Sequence, residues 1–226
     1  MNRLVLLISI LIGSSGVTIG AEPKLVRVMP LGDSLTQASP GYRGPLLKRL
    51  VAAGHRVEFV GSRSDDWNDG QPLRHEGHGG FTIGPGKSKA DAWTDGKGNF
   101  HDNLDAWLVA QPEIILLLIG TNEFFNVGPL QPGYDLDRQG PARLAGLLDK
   151  IHQLSPASLV VVGSILPVAW DANFARGFNA AIPDLVRPRP FARFADLNKT
   201  CGWVEGDWSP DQLHPTDRGY AKLAQA

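Results

Sequence analysis

The sequence predicts an α/β fold in which a parallel sheet carries helices on both faces. Three observations predict it. Apolar or β-branched runs recur at residues 25–29, 57–60, 114–119, 159–165 and, more weakly, 191–195. They lack strict polar alternation, as strands covered on both sides do. Segments with helical spacing lie between the runs, and Gly or Pro follows several of those segments. A strand, helix, strand rhythm of this kind builds a parallel sheet.

Taken in order, the first strand leads toward a helix marked by Leu46, Leu47, Leu50 and Val51, which Gly54 is placed to cap. The second strand enters residues 60–103, rich in Gly, Asp, His, Trp and Lys without a period; so long a connection reads as an irregular functional loop. Leu104, Trp107 and Leu108 mark a helix before Pro112 and the third strand. A second irregular stretch, residues 124–140, precedes the helix of Leu144, Leu147, Leu148 and Ile151, which ends before Pro156. Phe174, Phe178 and Ile182 mark a fourth helix after the fourth strand, and Tyr220 and Leu223 a last one.

The chain has 226 residues, with 22 Lys+Arg against 23 Asp+Glu, six His and one Cys. That length suits one domain with its own core. A formal charge of −1 provides no cationic excess with which to grip a nucleic acid. Cys201 alone can form neither an internal disulfide nor a multi-thiolate metal site, and is expected to be packed. Arg3, the apolar residues 4–12 and the small, polar residues 13–18 have the layout of a secretory leader, with cleavage expected after Ala21. The remaining domain, residues 22–226, is then expected to be exported. The apolar run is well short of the roughly 20 residues that span a bilayer, so no permanent membrane anchor is expected.

Reactive groups in open parallel sheets collect beyond the carboxyl ends of the strands. Gly32-Asp33-Ser34-Leu35 follows the first strand, Gly120-Thr121-Asn122-Glu123 the third, and Asp211-Gln212-Leu213-His214-Pro215 precedes the last helix. A serine, a histidine and a carboxylate are the parts of a nucleophilic hydrolase. The three-residue offset lets a turn hold the Asp211 carboxylate against one ring nitrogen of His214 and leaves the other facing a serine. The hydroxyl of Ser34, between a strand and a helical segment, falls near that helix's positive end. Taken alone, Asp33 and Ser34 also fit a helix cap, and Asn122 a turn. His75 and His78 are three apart in a glycine-rich loop, whereas the helical zinc motif needs four, so no metal is expected. The pattern Gly86-Lys87-Ser88-Lys89-Ala90 follows no strand and lacks the final Gly of a nucleophile elbow.

The ordered blocks resemble the SGNH (GDSL) hydrolase superfamily over nearly the whole chain beyond the leader. Gly32-Asp33-Ser34-Leu35 resembles its serine block, Gly120-Thr121-Asn122-Glu123 its asparagine block and Asp211-x-x-His214 its last block. Its glycine block is matched by His75-Glu76-Gly77-His78-Gly79-Gly80-Phe81-Thr82-Ile83, with Gly80 in the glycine's role. This block and Tyr42-Arg43 are most similar to carbohydrate esterases of family 3, which deacetylate xylan. Gly79 stands where those esterases usually carry Ser.

The resemblance implies a flavodoxin-like three-layer α/β/α sandwich on five parallel strands. It implies Ser34 as nucleophile, His214 as proton shuttle and Asp211 as its orienting partner, without metal or organic cofactor. The oxyanion hole would be the backbone N–H groups of Ser34 and Gly80 with the Asn122 amide. Asp33, His78 and Trp208 are expected at the substrate, Trp208 because it precedes Asp211 by three residues. Trp67, Trp93, Trp170 and Trp203 also fall in expected loops.

The expected function is that of a secreted serine esterase removing short acyl groups, acetyl foremost, from a carbohydrate such as xylan. A general carboxylesterase or lipase is the rival within the same chemistry. A non-catalytic carbohydrate-binding protein is the rival outside it.

Overall fold

The computed structural model describes residues 23–66, 72–84, 98–127 and 133–226. The leader, Trp67, Trp93 and the Gly86-Lys87-Ser88-Lys89-Ala90 pattern lie outside the described residues. Seven strands are described, β1 (Val26–Gly32), β2 (Val57–Phe59), β3 (Arg63–Asp66), β4 (Pro72–Gly77), β5 (Ile114–Leu118), β6 (Leu159–Gly163) and β7 (Ala192–Ala195). The sheet runs β3-β4-β1-β5-β6-β7, with β2 also on β1. β2 and β4 share one edge of β1: β2 pairs with its first half and β4 with Leu31 and Gly32 at its end.

All five predicted strands are present and parallel. The hairpin of β3 and β4 is an addition, inside a stretch read from sequence as irregular. Its strands are short and mostly polar, so no hydrophobic period announces them.

The seven described α-helices are α1 (Ser34–Gln37), α2 (Arg43–Ala52), α3 (Phe100–Trp107), α4 (Leu136–Leu154), α5 (Arg176–Val186), α6 (Leu197–Thr200) and α7 (Asp217–Leu223). α4 starts inside the second stretch read as irregular. Asp135 caps its first turn, while Pro141, a residue that normally ends helices, sits within it. The neighbouring Gly140 admits the ring of Phe178: a Cβ there would meet it at 2.8 Å.

The buried residues form two clusters, one on each face of the sheet. Met29, Leu31, Ile115, Leu117, Val160 and Val162 face Leu104, Leu144, Leu148 and Phe178 of α3, α4 and α5. Val28, Leu116 and Val161 face Leu46 and Leu50 of α2 and Tyr220 and Leu223 of α7. Successive strand residues thus point to opposite, equally apolar layers, which is why the strands read as unbroken apolar runs. Among the described residues no helix is long and apolar enough to cross a membrane.

Candidate active site

Ser34 stands at the first position of α1, immediately beyond the carboxyl end of β1. The turn needs glycine at position 32, where a Cβ would meet the Leu118 carbonyl oxygen and Thr36 Oγ1, each at 2.3 Å. Asp33 caps α1, its Oδ1 accepting from the Leu35 N–H at 3.1 Å. Arg43 is fully buried and donates to the carbonyls of Ala38 (2.7 Å) and Leu73 (2.9 Å) and to Asp65. Tyr42 lies 3.2 Å through its hydroxyl from Thr36. The Tyr42-Arg43 pair therefore braces the serine turn from behind, against the β3–β4 hairpin.

The imidazole of His214 reaches Ser34 from a loop 180 positions away, with Nε2 2.8 Å from Oγ. Its Nδ1 is 2.7 Å from Asp211 Oδ2. The other oxygen of Asp211 accepts from Ser209 Oγ at 2.6 Å and from the N–H groups of Leu213 and His214, both at 2.9 Å. Partial burial pushes the Asp211 carboxyl up, but the Ser209, His214 and Leu213 hydrogen bonds outweigh it and hold the group well below the carboxylate range. With an ionised acceptor at Nδ1, that nitrogen carries the proton and Nε2 is left as the base facing Ser34.

The loop is closed at its base by a bridge between Trp208 and Pro215 and by the Ser209 N–H on the His214 carbonyl at 2.9 Å. Buried Asp207, just before it, accepts from Arg218 (2.8 Å), Lys222 (2.6 Å) and the Val204 N–H (2.9 Å), fastening the loop to α7.

Two further loops border Ser34. After β4, residues 78–81 form a turn closed by the Phe81 N–H on the His78 carbonyl at 3.3 Å, with Gly80 at φ 78°. That left-handed conformation suits glycine. A Cβ on Gly79 would lie 3.6 Å from Ser34 Cβ and 2.8 Å from Gln37 Oε1, and the Gly79 N–H donates to that oxygen at 2.6 Å. The Gln37 amide thus fills the space beside Gly79. After β5, Asn122 donates one amide N–H to the Phe81 carbonyl at 3.1 Å, which fastens it to the glycine turn.

Glu123, fully buried, binds the same two loops: it accepts from the Ile83 N–H at 2.7 Å and pairs with Arg143 at 2.8 Å, and Tyr134 donates to it. Gln37, Glu123, Asp207 and Ser209 are positioning residues that the sequence did not single out. The one signal available in the sequence was a carboxylate, Glu123, directly following Asn122 at a strand end.

The structure therefore brings Ser34, His214 and Asp211 into one relay and sets Asn122 and the Gly79-Gly80 turn beside it. His78 stacks on Trp107 with ring centroids 4.1 Å apart, and its Nε2 is 2.8 Å from buried Glu76. With Gln37, Ser62, Arg63, Gly79 and Phe81 it lines a pocket of about 360 Å³ next to the serine. His75 Nδ1 accepts from the Gly77 N–H at 2.9 Å; burial, with Arg43 nearby, lowers its pKa to about 4, so it is a neutral brace.

One expected substrate contact is corrected. Asp33 has no exposed surface: its carboxyl turns inward to cap α1 and cannot meet a substrate. Trp208, half-buried, stacks on Trp203, centroids 4.9 Å apart, and packs in part against the α7-side core. Cys201 is buried, and desolvation pushes its thiol up to about 12.

Burial raises the Asp33 carboxyl to about 6, against smaller opposing effects of the Leu35 N–H and His214, and its Oδ2 has no hydrogen-bond partner. A folded-state pKa above the unfolded value means that the native state favours the protonated form. That stabilisation is full below about 3.8 and is lost as pH rises through about 6. Asp33→Asn, uncharged throughout, should be the more stable protein at pH 8, by up to about 3 kcal/mol at 1.36 kcal/mol per pKa unit. The gap should close toward pH 4. Urea unfolding of both proteins at the two pH values measures it; a gap that widens on acidification would refute it.

A model of the GDSL-like Lipase/Acylhydrolase family matches residues 31–222 of this chain. The solved structure of a Clostridium thermocellum family 3 carbohydrate esterase is similar at a TM-score of 0.70 and 27% identity, over 89% of this chain and 92% of that one. A family 3 carbohydrate esterase from Talaromyces cellulolyticus shares the fold at a TM-score of 0.68 and 24% identity, over 88% and 92%. The structure of TesA shares it at 0.60 and 18%, over 88% and 93%. Among curated proteins nothing matches.

Proposed function

The chain belongs to the GDSL-like lipase/acylhydrolase family, and from that premise we propose that it is a serine esterase removing short acyl groups, acetyl foremost, from carbohydrate. The reading rests on the relay in which Asp211 orients His214 and His214 Nε2 meets Ser34 Oγ at 2.8 Å.

In this reading Ser34 Oγ attacks the ester carbonyl carbon while its proton passes to His214 Nε2 and the carbonyl electron pair moves to oxygen. The resulting oxyanion is met by the N–H groups of Ser34 and Gly80 and by the second amide N–H of Asn122, the first being held by Phe81. One such donor lowers the barrier by roughly 3 kcal/mol. Collapse breaks the bond to the alcohol, which leaves with the proton from His214. Water then repeats the sequence on the acyl-enzyme and releases the acid.

Two features support a short acyl group on a polar alcohol. The apolar dent beside Ser34 and His214, walled by Leu35, Leu166, Pro167, Val168 and Leu213, has a volume of only about 10 Å³. That is room for about one water-sized group, as a methyl is. Likeness to the Clostridium thermocellum family 3 carbohydrate esterase supports carbohydrate as the alcohol.

The test is hydrolysis of p-nitrophenyl acetate, butyrate and octanoate beside acetate release from acetylated xylan. Acetate should be released, and kcat/KM should fall at least about 100-fold from acetyl to octanoyl, because each surplus methylene has no pocket. A preference for octanoate would favour a lipase. Sugar binding with no labelling by a serine-directed phosphonate would favour a non-catalytic binder.

A further inference from the structure

The large hydrophobic side chains exposed among the described residues are Leu25, Val51, Val109, Phe124, Trp170 and Val204. Single exposed aliphatics are ordinary on a protein surface. The two aromatics are not scattered: Phe124 follows β5 and Trp170 follows β6, both beyond the carboxyl ends of strands of the sheet. Phe124, 54% exposed, lies two residues beyond Asn122. Its ring meets Phe174 edge-on at 5.4 Å, and Phe174 closes the segment that carries Trp170.

Trp170, 56% exposed, sits at the tip of a tight turn. The Asp171 N–H donates to the Val168 carbonyl at 3.1 Å and the Val168 N–H to the Asp171 carbonyl at 3.4 Å. Asp171 also accepts from the Asn173 N–H at 2.8 Å through its side chain. The turn is tied to the site twice. Val168, two residues before Trp170, is in the wall of the dent beside Ser34. The Ala169 N–H donates to the Gln212 carbonyl at 2.9 Å, in the middle of the Asp211–His214 loop. A large planar apolar face is thus held out to solvent on a braced backbone, one residue from a bond to the loop that carries the proton shuttle.

We propose that Trp170 is a substrate-positioning platform that stacks on a pyranose ring of the leaving carbohydrate. The inference rests on the carbohydrate-ester reading above. His214 must hand its proton to the departing alcohol oxygen, so the alcohol departs beside the His214 loop, and Trp170 is the exposed aromatic anchored to that loop. An indole face complements the C–H face of a sugar ring, and because the turn is braced, little ordering is lost when the ring docks.

The test compares wild type, Trp170→Ala and Trp170→Phe on an acetylated xylo-oligosaccharide, on ethyl acetate, whose alcohol has no ring to stack, and on ethyl octanoate. For Trp170→Ala the ratio of kcat/KM on the oligosaccharide to that on ethyl acetate should fall about tenfold, the size of an aromatic contact, through KM rather than kcat. Trp170→Phe should retain most of that ratio. An unchanged ratio, with wild type active on the oligosaccharide, overturns the platform and leaves the esterase reading standing. A selective loss on octanoate would place the indole on the acyl side and also overturns it. Wild-type activity on ethyl acetate with none on the oligosaccharide would sink the carbohydrate reading and the platform together.

Discussion

Ser34→Ala should lower kcat for acetate release by about 10⁶-fold, with KM changed only a few-fold, because in the proposed mechanism the hydroxyl is the atom that forms the acyl-enzyme. Its hydrogen bond in the structure is with His214 at 2.8 Å at a half-buried site, so the unfolding midpoint should barely move. What survives is the contribution of Asn122, the Gly80 turn and binding, worth roughly 10³–10⁴ over water. Adding His214→Ala to Ser34→Ala should cost almost nothing more, since the two side chains act as a unit. Single-turnover kinetics with titrated active sites measure both. A loss of less than tenfold in Ser34→Ala would move the nucleophile elsewhere.

Asp211→Asn should cost about 10⁴-fold in kcat. The backbone N–H groups of Leu213 and His214 and the Ser209 hydroxyl converge on Oδ1, so an asparagine keeps its oxygen there and turns its amide toward His214 Nδ1. That amide is a donor, so Nδ1 must accept and the ring proton shifts to Nε2. Nε2 then points a proton at Ser34 and cannot take one. The loop geometry should survive, and KM with it. An Asp211→Asn enzyme within tenfold of wild type would show that the carboxylate is not needed to set the tautomer.

Much of this site could be read in one dimension because its parts are chemically distinctive and fall where strands end. Ser34 follows β1, Asn122 follows β5, and the three-residue offset of Asp211 and His214 is short enough for one turn to make their contact. The β3–β4 hairpin could not be read, since Arg63-Ser64-Asp65-Asp66 carries no apolar period and is held by pairing with β4 and by buried Arg43. The start of α4 was masked by Gly140 and Pro141. The helix continues through them because Asp135 caps it and Phe178 packs into the space over Gly140.

The order of the blocks, the apolar strands and the identity of the candidate reacting groups were determined by the sequence alone, for these depend on residue type and local spacing. Only the tertiary structure decided which way each neighbouring side chain turns. Asp33 faces inward, Trp208 lies on Trp203, Gln37 backs Gly79, and Trp170 stands out to solvent. The physical reason is range: a cap or a turn is settled within a few residues, whereas a side chain's exposure is set by partners dozens to hundreds of positions away, brought near only when both faces of the sheet are covered.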